Sequence, residues 1–114
     1  MSEAKFTKGE WAILPAEEDK EYLRIRGTFL GGRYKIANVI DLKDHHNGMN
    51  WCARERAESM ANASLIKTSP KMYEMLIKIS KTINSGLYEI ELADAITEFG
   101  GDIENLLAKA RGES

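Results

Sequence analysis

The hydrophobic period of this chain changes once, near Trp51, and no other feature constrains the fold as tightly. Before that point apolar and polar residues alternate in twos, as in half-buried strands. After it they recur every three or four residues, as in amphipathic helices. A length of 114 residues suffices for one core and falls short of two. The expectation is a single α+β domain over residues 1–114. It divides into a β-meander at 1–43, a helical pair at 52–84 and a C-terminal acidic helical segment at 87–114.

Three short strands make up the first part. Glu10 to Leu14 is β-prone and stops at Pro15, which cannot continue a ladder. From Lys20 to Arg26, Leu23 and Ile25 point one way and Tyr22, Arg24 and Arg26 the other. Gly27, Gly31 and Gly32 bracket a turn, and Arg33 to Leu42 alternates again. In that third run Tyr34, Ile36 and Ile40 fall on one face, with Arg33, Lys35 and Val39 on the opposite one. Short loops between such strands favour an antiparallel meander, a three-stranded antiparallel sheet.

Beyond the polar loop at 43–51, Ala53, Ala57, Met60, Ala61 and Leu65 form one helical stripe. Ser69-Pro70 reads as a fresh helix start, with Ser69 as N-cap and Pro70 in the first turn, and predicts a bend there. The second helix, to about Asn84, carries Met72, Leu76, Ile79 and Ile83 on one line, widened by Tyr73, Met75 and Ile77. Together these segments form a bent helical pair packed on one face of the sheet. In the tail, Leu92, Ile96, Phe99, Ile103, Leu106 and Ala110 hold one phase across Gly100-Gly101. Two glycines inside a helix cost roughly 2 kcal/mol, so two short helices are expected, the second capped by Asp102, with a single helix the alternative that the unbroken phase allows.

Composition excludes several function classes. Hydrophobic residues are 43% and charged residues 30% of the chain, the profile of a soluble globular protein rather than a disordered one. No apolar run approaches a membrane span, and the opening MSEAKFTKGE lacks the apolar stretch of a signal peptide. The lone Cys52 allows no intramolecular disulfide and points to a reducing compartment such as the cytoplasm. The net charge of −2 is unlike that of strongly basic nucleic-acid binders. It is unevenly spread, however: −3 over 1–19, +4 over 20–43, +2 over 44–84 and −5 over 85–114.

Few residues suggest chemistry. Asp44, His45, His46 and Cys52 are metal-ligand types, but adjacent histidines diverge and no second cluster completes a site, so no metal is expected. Nothing recognisable as a nucleophile motif surrounds Cys52, and Gly31-Gly32 precedes a strand where a phosphate loop would open a helix. No cofactor and no catalytic residue is expected. Two surfaces remain. Tyr22, Arg24, Arg26, Arg33 and Lys35 would lie side by side on the sheet, where guanidinium groups beside an aromatic ring suit an anionic ligand or nucleic acid. Solvation of that face, or cover by the acidic tail, is its plainer reading. The apolar arc Met72, Tyr73, Met75, Leu76 and Ile79 is wider than one packing surface needs and suggests a protein interface or a homodimer, the competing reading being that the C-terminal helices fill it. Asn62, set in the alanine-rich stripe, reads as a polar anchor to the sheet or, failing that, a pocket residue.

Three stretches resemble a family of small phage and prophage proteins of unassigned function. Thr7 to Trp11 (TKGEW) is similar to the family's TKGPW start, with Glu10 in place of proline, and Tyr34 to Val39 (YKIANV) to its IA-V strand. Glu55 to Leu76 (ERAESMANASLIKTSPKMYEML) resembles its ANA-LI-x-x-x-P helical motif, with Lys67-Thr68-Ser69 replacing an alanine run. The tail from Leu87 has no counterpart in that likeness. The resemblance implies a phage-encoded accessory protein of the bacterial cytoplasm and carries over no catalytic residue. The function expected is non-enzymatic binding that modulates or inhibits a host component, a protein or a small ligand, without a membrane. The alternative is nucleic-acid or nucleotide binding through the basic sheet face.

Overall fold

The computed structural model describes residues 4–41 and 50–113, and the side chains of the second segment from Arg56 onward. The loop carrying Asp44, His45 and His46 and the side chain of Cys52 lie outside the described residues.

Three strands, β1 (Trp11–Ile13), β2 (Tyr22–Gly27) and β3 (Tyr34–Ile40), form an antiparallel sheet in the order β1-β2-β3. Alternation along β2 buries Leu23 and Ile25 and leaves Tyr22, Arg24 and Arg26 on the outer face. β1 pairs Trp11 with Gly27 and Ile13 with Ile25, so these two share the inner face, while Ala12 lies opposite Arg26. Between β2 and β3 the register shifts at Ile25/Arg26: Ile25 faces Ala37, but Arg26 faces Lys35. Ile36 is the extra residue of a β-bulge.

This bulge corrects the faces expected for β3. Ala37 and Val39 turn inward opposite Ile25 and Leu23, whereas Ile40 lies opposite Tyr22 on the outer face and is 66% exposed. An inserted residue reverses the parity of everything beyond it. Arg33 precedes the strand, in the turn that follows a single 3₁₀ turn at Phe29–Gly31.

The helical pair expected around Pro70 is realised as one 34-residue helix, α1 (Asn50–Ile83), with Pro70 inside it. Ser69 is not an N-cap. Its hydroxyl donates to the carbonyl of Ile66, four residues before Pro70, at 2.7 Å. That is the acceptor a proline cannot serve. Thr68 makes a similar bond to the Ser64 carbonyl at 2.7 Å and is buried. At the far end, Asn84 and Ser85 bond back to Ser80 and Thr82, and Gly86 turns the chain at φ +86°.

The acidic tail forms two helices, α2 (Glu89–Glu98) and α3 (Gly100–Ala110). The break falls at Phe99 rather than at the glycines, which occupy the first turn of α3 together with Asp102, the residue expected to cap it. The amide of Ile103 donates to the Phe99 carbonyl at 2.8 Å, carrying the ladder across the junction. α3 runs back along α1: Ile103 and Leu106 lie near Met75 and Ile79, and Gly112 approaches Ser64.

The core is small. Leu23, Ile25 and Ala63 are fully enclosed, with Trp11, Ile13, Ile36, Ala37, Val39 and Ile66 packed around them. Ala63 has no accessible surface, so α1 approaches the sheet closely at that point. Phe6 adds edge-to-face ring contacts with Trp11 and Tyr73, at 6.2 and 5.0 Å between centroids. The whole molecule measures 59 × 32 × 19 Å.

Candidate functional site

The outer sheet face brings Tyr22, Arg24, Arg26 and Lys35 together, with Arg33 exposed just before β3. Two of its cations are already engaged within the chain. The Arg24 guanidinium donates to the Pro15 carbonyl at 3.1 Å and pairs with Glu17 at 3.0 Å. The Arg26 guanidinium donates to the carbonyls of Ile25 and Ala37 at 2.9 and 3.1 Å and to Asn38 Oδ1 at 3.1 Å. Arg26 thus closes the bulge, where widened strands leave carbonyls without ladder partners. Arg33 and Lys35 remain exposed toward solvent.

The second expected surface is placed as a flank of α3. Met72, Met75, Leu76 and Ile79 of α1 meet Ile103, Leu106 and Leu107 of α3 around an apolar groove of about 170 Å³. α3 covers one side of this arc and leaves the other open: Leu76 is 65% exposed. Tyr73 turns away from the groove to the Phe6 ring.

On the opposite flank of α3, a groove of about 530 Å³ runs between the free edge of β1 and α1. Trp11, Ser64, Thr68, Pro70, Lys67 and Lys109 line it. Lys71 crosses it to pair with Glu10 at 3.1 Å. Beside it, Arg111 donates twice to Glu113, and that hydrogen bond, reinforced by the carboxylate charge, raises the guanidinium above its ordinary pKa.

Asn62 is exposed, not an anchor buried in the stripe. It lines an open groove with Asn38, Ile40 and Leu65 between the β3 edge and α1. A buried polar anchor exists elsewhere and escaped sequence reasoning: Asp41 is 1% exposed and receives the Arg56 Nε at 3.0 Å. Only its position, an acid directly after an apolar strand, hinted at it.

The motifs that carried the family resemblance have structural work. In TKGEW the Thr7 carbonyl accepts the Trp11 indole N–H at 3.0 Å, and Gly9 sits at φ +86° against Phe29. The Glu10 carbonyl receives both the amide and hydroxyl of Thr28. Among the described residues no group of His, Cys, Asp and Glu is arranged to hold a metal ion, and no helix is long and apolar enough to cross a membrane.

No curated protein and no solved structure matches the chain. A family model does, over residues 1–114, so the likeness extends through the acidic tail that the short motifs left out. By that match the chain belongs to the family described as Salmonella phage P22 protein Y8K6.

Proposed function

We propose that this phage protein is a non-enzymatic accessory factor that works as a dimer in the host cytoplasm, binding and modulating a host component through its acidic tail. The observation that carries this reading is the surface of α2. Glu89, Glu91, Asp94 and Glu98 are all exposed there, and beside them Tyr88 and Ile90 stand 81% and 75% exposed. An aromatic and an aliphatic side chain ringed by like charges is the make-up of an interface hot spot facing a basic partner. Glu89 holds φ +43°, a left-handed conformation costly for a non-glycine residue, at the turn between the two apolar side chains.

The test is affinity capture of the tagged chain from infected cells, with a native mass measurement for a bound small ligand. A host component should co-purify with the natural chain and be lost with Tyr88→Ala plus Ile90→Ala, while circular dichroism stays unchanged. Recovery of the chain alone, or capture indifferent to both substitutions, would overturn the reading. Binding of DNA, RNA or nucleotides at low salt, lost on Arg33→Glu with Lys35→Glu and weakening steeply as salt rises, would favour the basic sheet face instead.

A further inference from the structure

We propose that α1 pairs with α1 of a second copy of this chain, along a stripe formed by Leu65, Met72, Leu76, Ile79 and Ile83. This rests on the reading of the protein as a dimeric binding factor and gives that dimer its interface.

The stripe is what the fold leaves over. At about 100° per residue, α1 turns Ala63, Ile66 and Pro70 toward the sheet and Ser64, Thr68 and Met75 toward α3. A third side remains, and along it run Asn62, Leu65, Ser69, Met72, Leu76, Ile79 and Ile83. Their spacing alternates three and four, the 3.5-residue repeat of a coiled-coil seam. Among these described residues none is charged, and Lys67, Lys71, Glu74, Lys78 and Lys81 all fall on the far side of the helix. Leu65 is 48%, Leu76 65% and Ile83 52% exposed. The apolar groove between Met72, Leu76, Ile79 and Leu107 borders the stripe and offers a socket for an aliphatic side chain from across the axis.

Area argues for a second copy as the occupant. The chain exposes 8466 Å², against roughly 6,300 Å² for a compact protein of 12.8 kDa. Its radius of gyration is 18.1 Å, where a compact chain of this length has about 13 Å. A stable two-fold interface needs about 800 Å² from each partner, well within that surplus. Because the stripe is uncharged, bringing two identical copies together meets no like-charge repulsion there. Asn62 is the kind of polar position that sets register in such seams.

Analytical ultracentrifugation of the full chain tests this. The natural protein should sediment as a dimer in the micromolar range, and Leu76→Lys should weaken association at least about 100-fold with the far-ultraviolet circular dichroism unchanged. Should Leu76→Lys lose helix, Leu65→Gln, at a second exposed position of the stripe, carries the same expectation. A natural chain that stays monomeric into the high-micromolar range overturns the proposal, and so does a dimer that neither substitution loosens. A monomer that still captures a host component removes the dimer and its seam and leaves host binding standing; a dimer that captures none removes host binding alone.

Discussion

The hydroxyl of Ser69 donates to the carbonyl oxygen of Ile66 at 2.7 Å, supplying the bond that Pro70 cannot make. The two residues that read together as a helix start are therefore a repair inside a helix. Proline in a helix interior costs about 3 kcal/mol, partly through the acceptor it orphans, and a neighbouring hydroxyl recovers part of that cost. The Pro70 ring is itself buried.

Ser69→Ala is accordingly expected to lower stability by about 1 kcal/mol, the net worth of one hydrogen bond plus an unserved carbonyl. In a Pro70→Ala background the restored amide serves Ile66, and the same substitution should cost only a few tenths. A double-mutant cycle by urea unfolding measures the difference. Equal costs in the two backgrounds would refute the pairing.

Arg56→Ala should destabilise the protein by about 1–3 kcal/mol. Asp41 is 1% exposed, and without Arg56 its carboxylate loses the guanidinium that bonds it at 3.0 Å. Because Arg56 is itself 43% exposed, solvent screens the charge attraction, and most of the effect comes from the acid left behind. The thermal midpoint of Arg56→Lys should fall between those of the natural chain and Arg56→Ala.

Arg26→Met keeps the length of the side chain and removes its donors. The carbonyls of Ile25 and Ala37 then lose their guanidinium partner at the bulge, at an expected cost of about 1–2 kcal/mol. Amide hydrogen exchange is the sharper readout. Protection should fall at β2 and β3 and hold in α1 near Met75.

Gly9→Ala is expected to cost about 1–2 kcal/mol. The residue sits at φ +86°, and an added methyl would stand 3.1 Å from the Phe29 Cβ. Calorimetry should show a lowered melting temperature with an unchanged α-helical spectrum, since the strain falls on the N-terminal segment and the 3₁₀ turn.

Much of the fold was legible because periodicity is local. Leu23 and Ile25 announce an inner face by themselves, and Met72, Leu76 and Ile79 announce a helical one. Most of what escaped depended on partners distant in sequence. The bulge is set by how β3 registers against β2, so Ile40 and Val39 changed places although their own alternation was read correctly. The Asp41–Arg56 pair joins residues fifteen apart, one just after β3 and the other in α1. The continuity of α1 turned on a hydroxyl whose usual role, capping, was the natural expectation for Ser before Pro. Of the two candidate surfaces, the apolar arc was visible as an excess of aliphatic residues. The engagement of Arg24 and Arg26 was not, since three of their acceptors are backbone carbonyls, which carry no sequence signature, and the side-chain ones, Glu17 and Asn38, are chosen by the turn and by the shifted register.

The unbroken course of α1 has a mechanical consequence. A rod of about 51 Å carries the sheet near its middle, through Ala63 and Ile66, and α3 alongside it as far back as Ser64. Sheet and tail thus lean on the same stretch of α1, the one that contains Pro70, and share the groove between them. Bending α1 at Pro70 would disturb both contacts at once, so the two halves of the molecule have one strut in common.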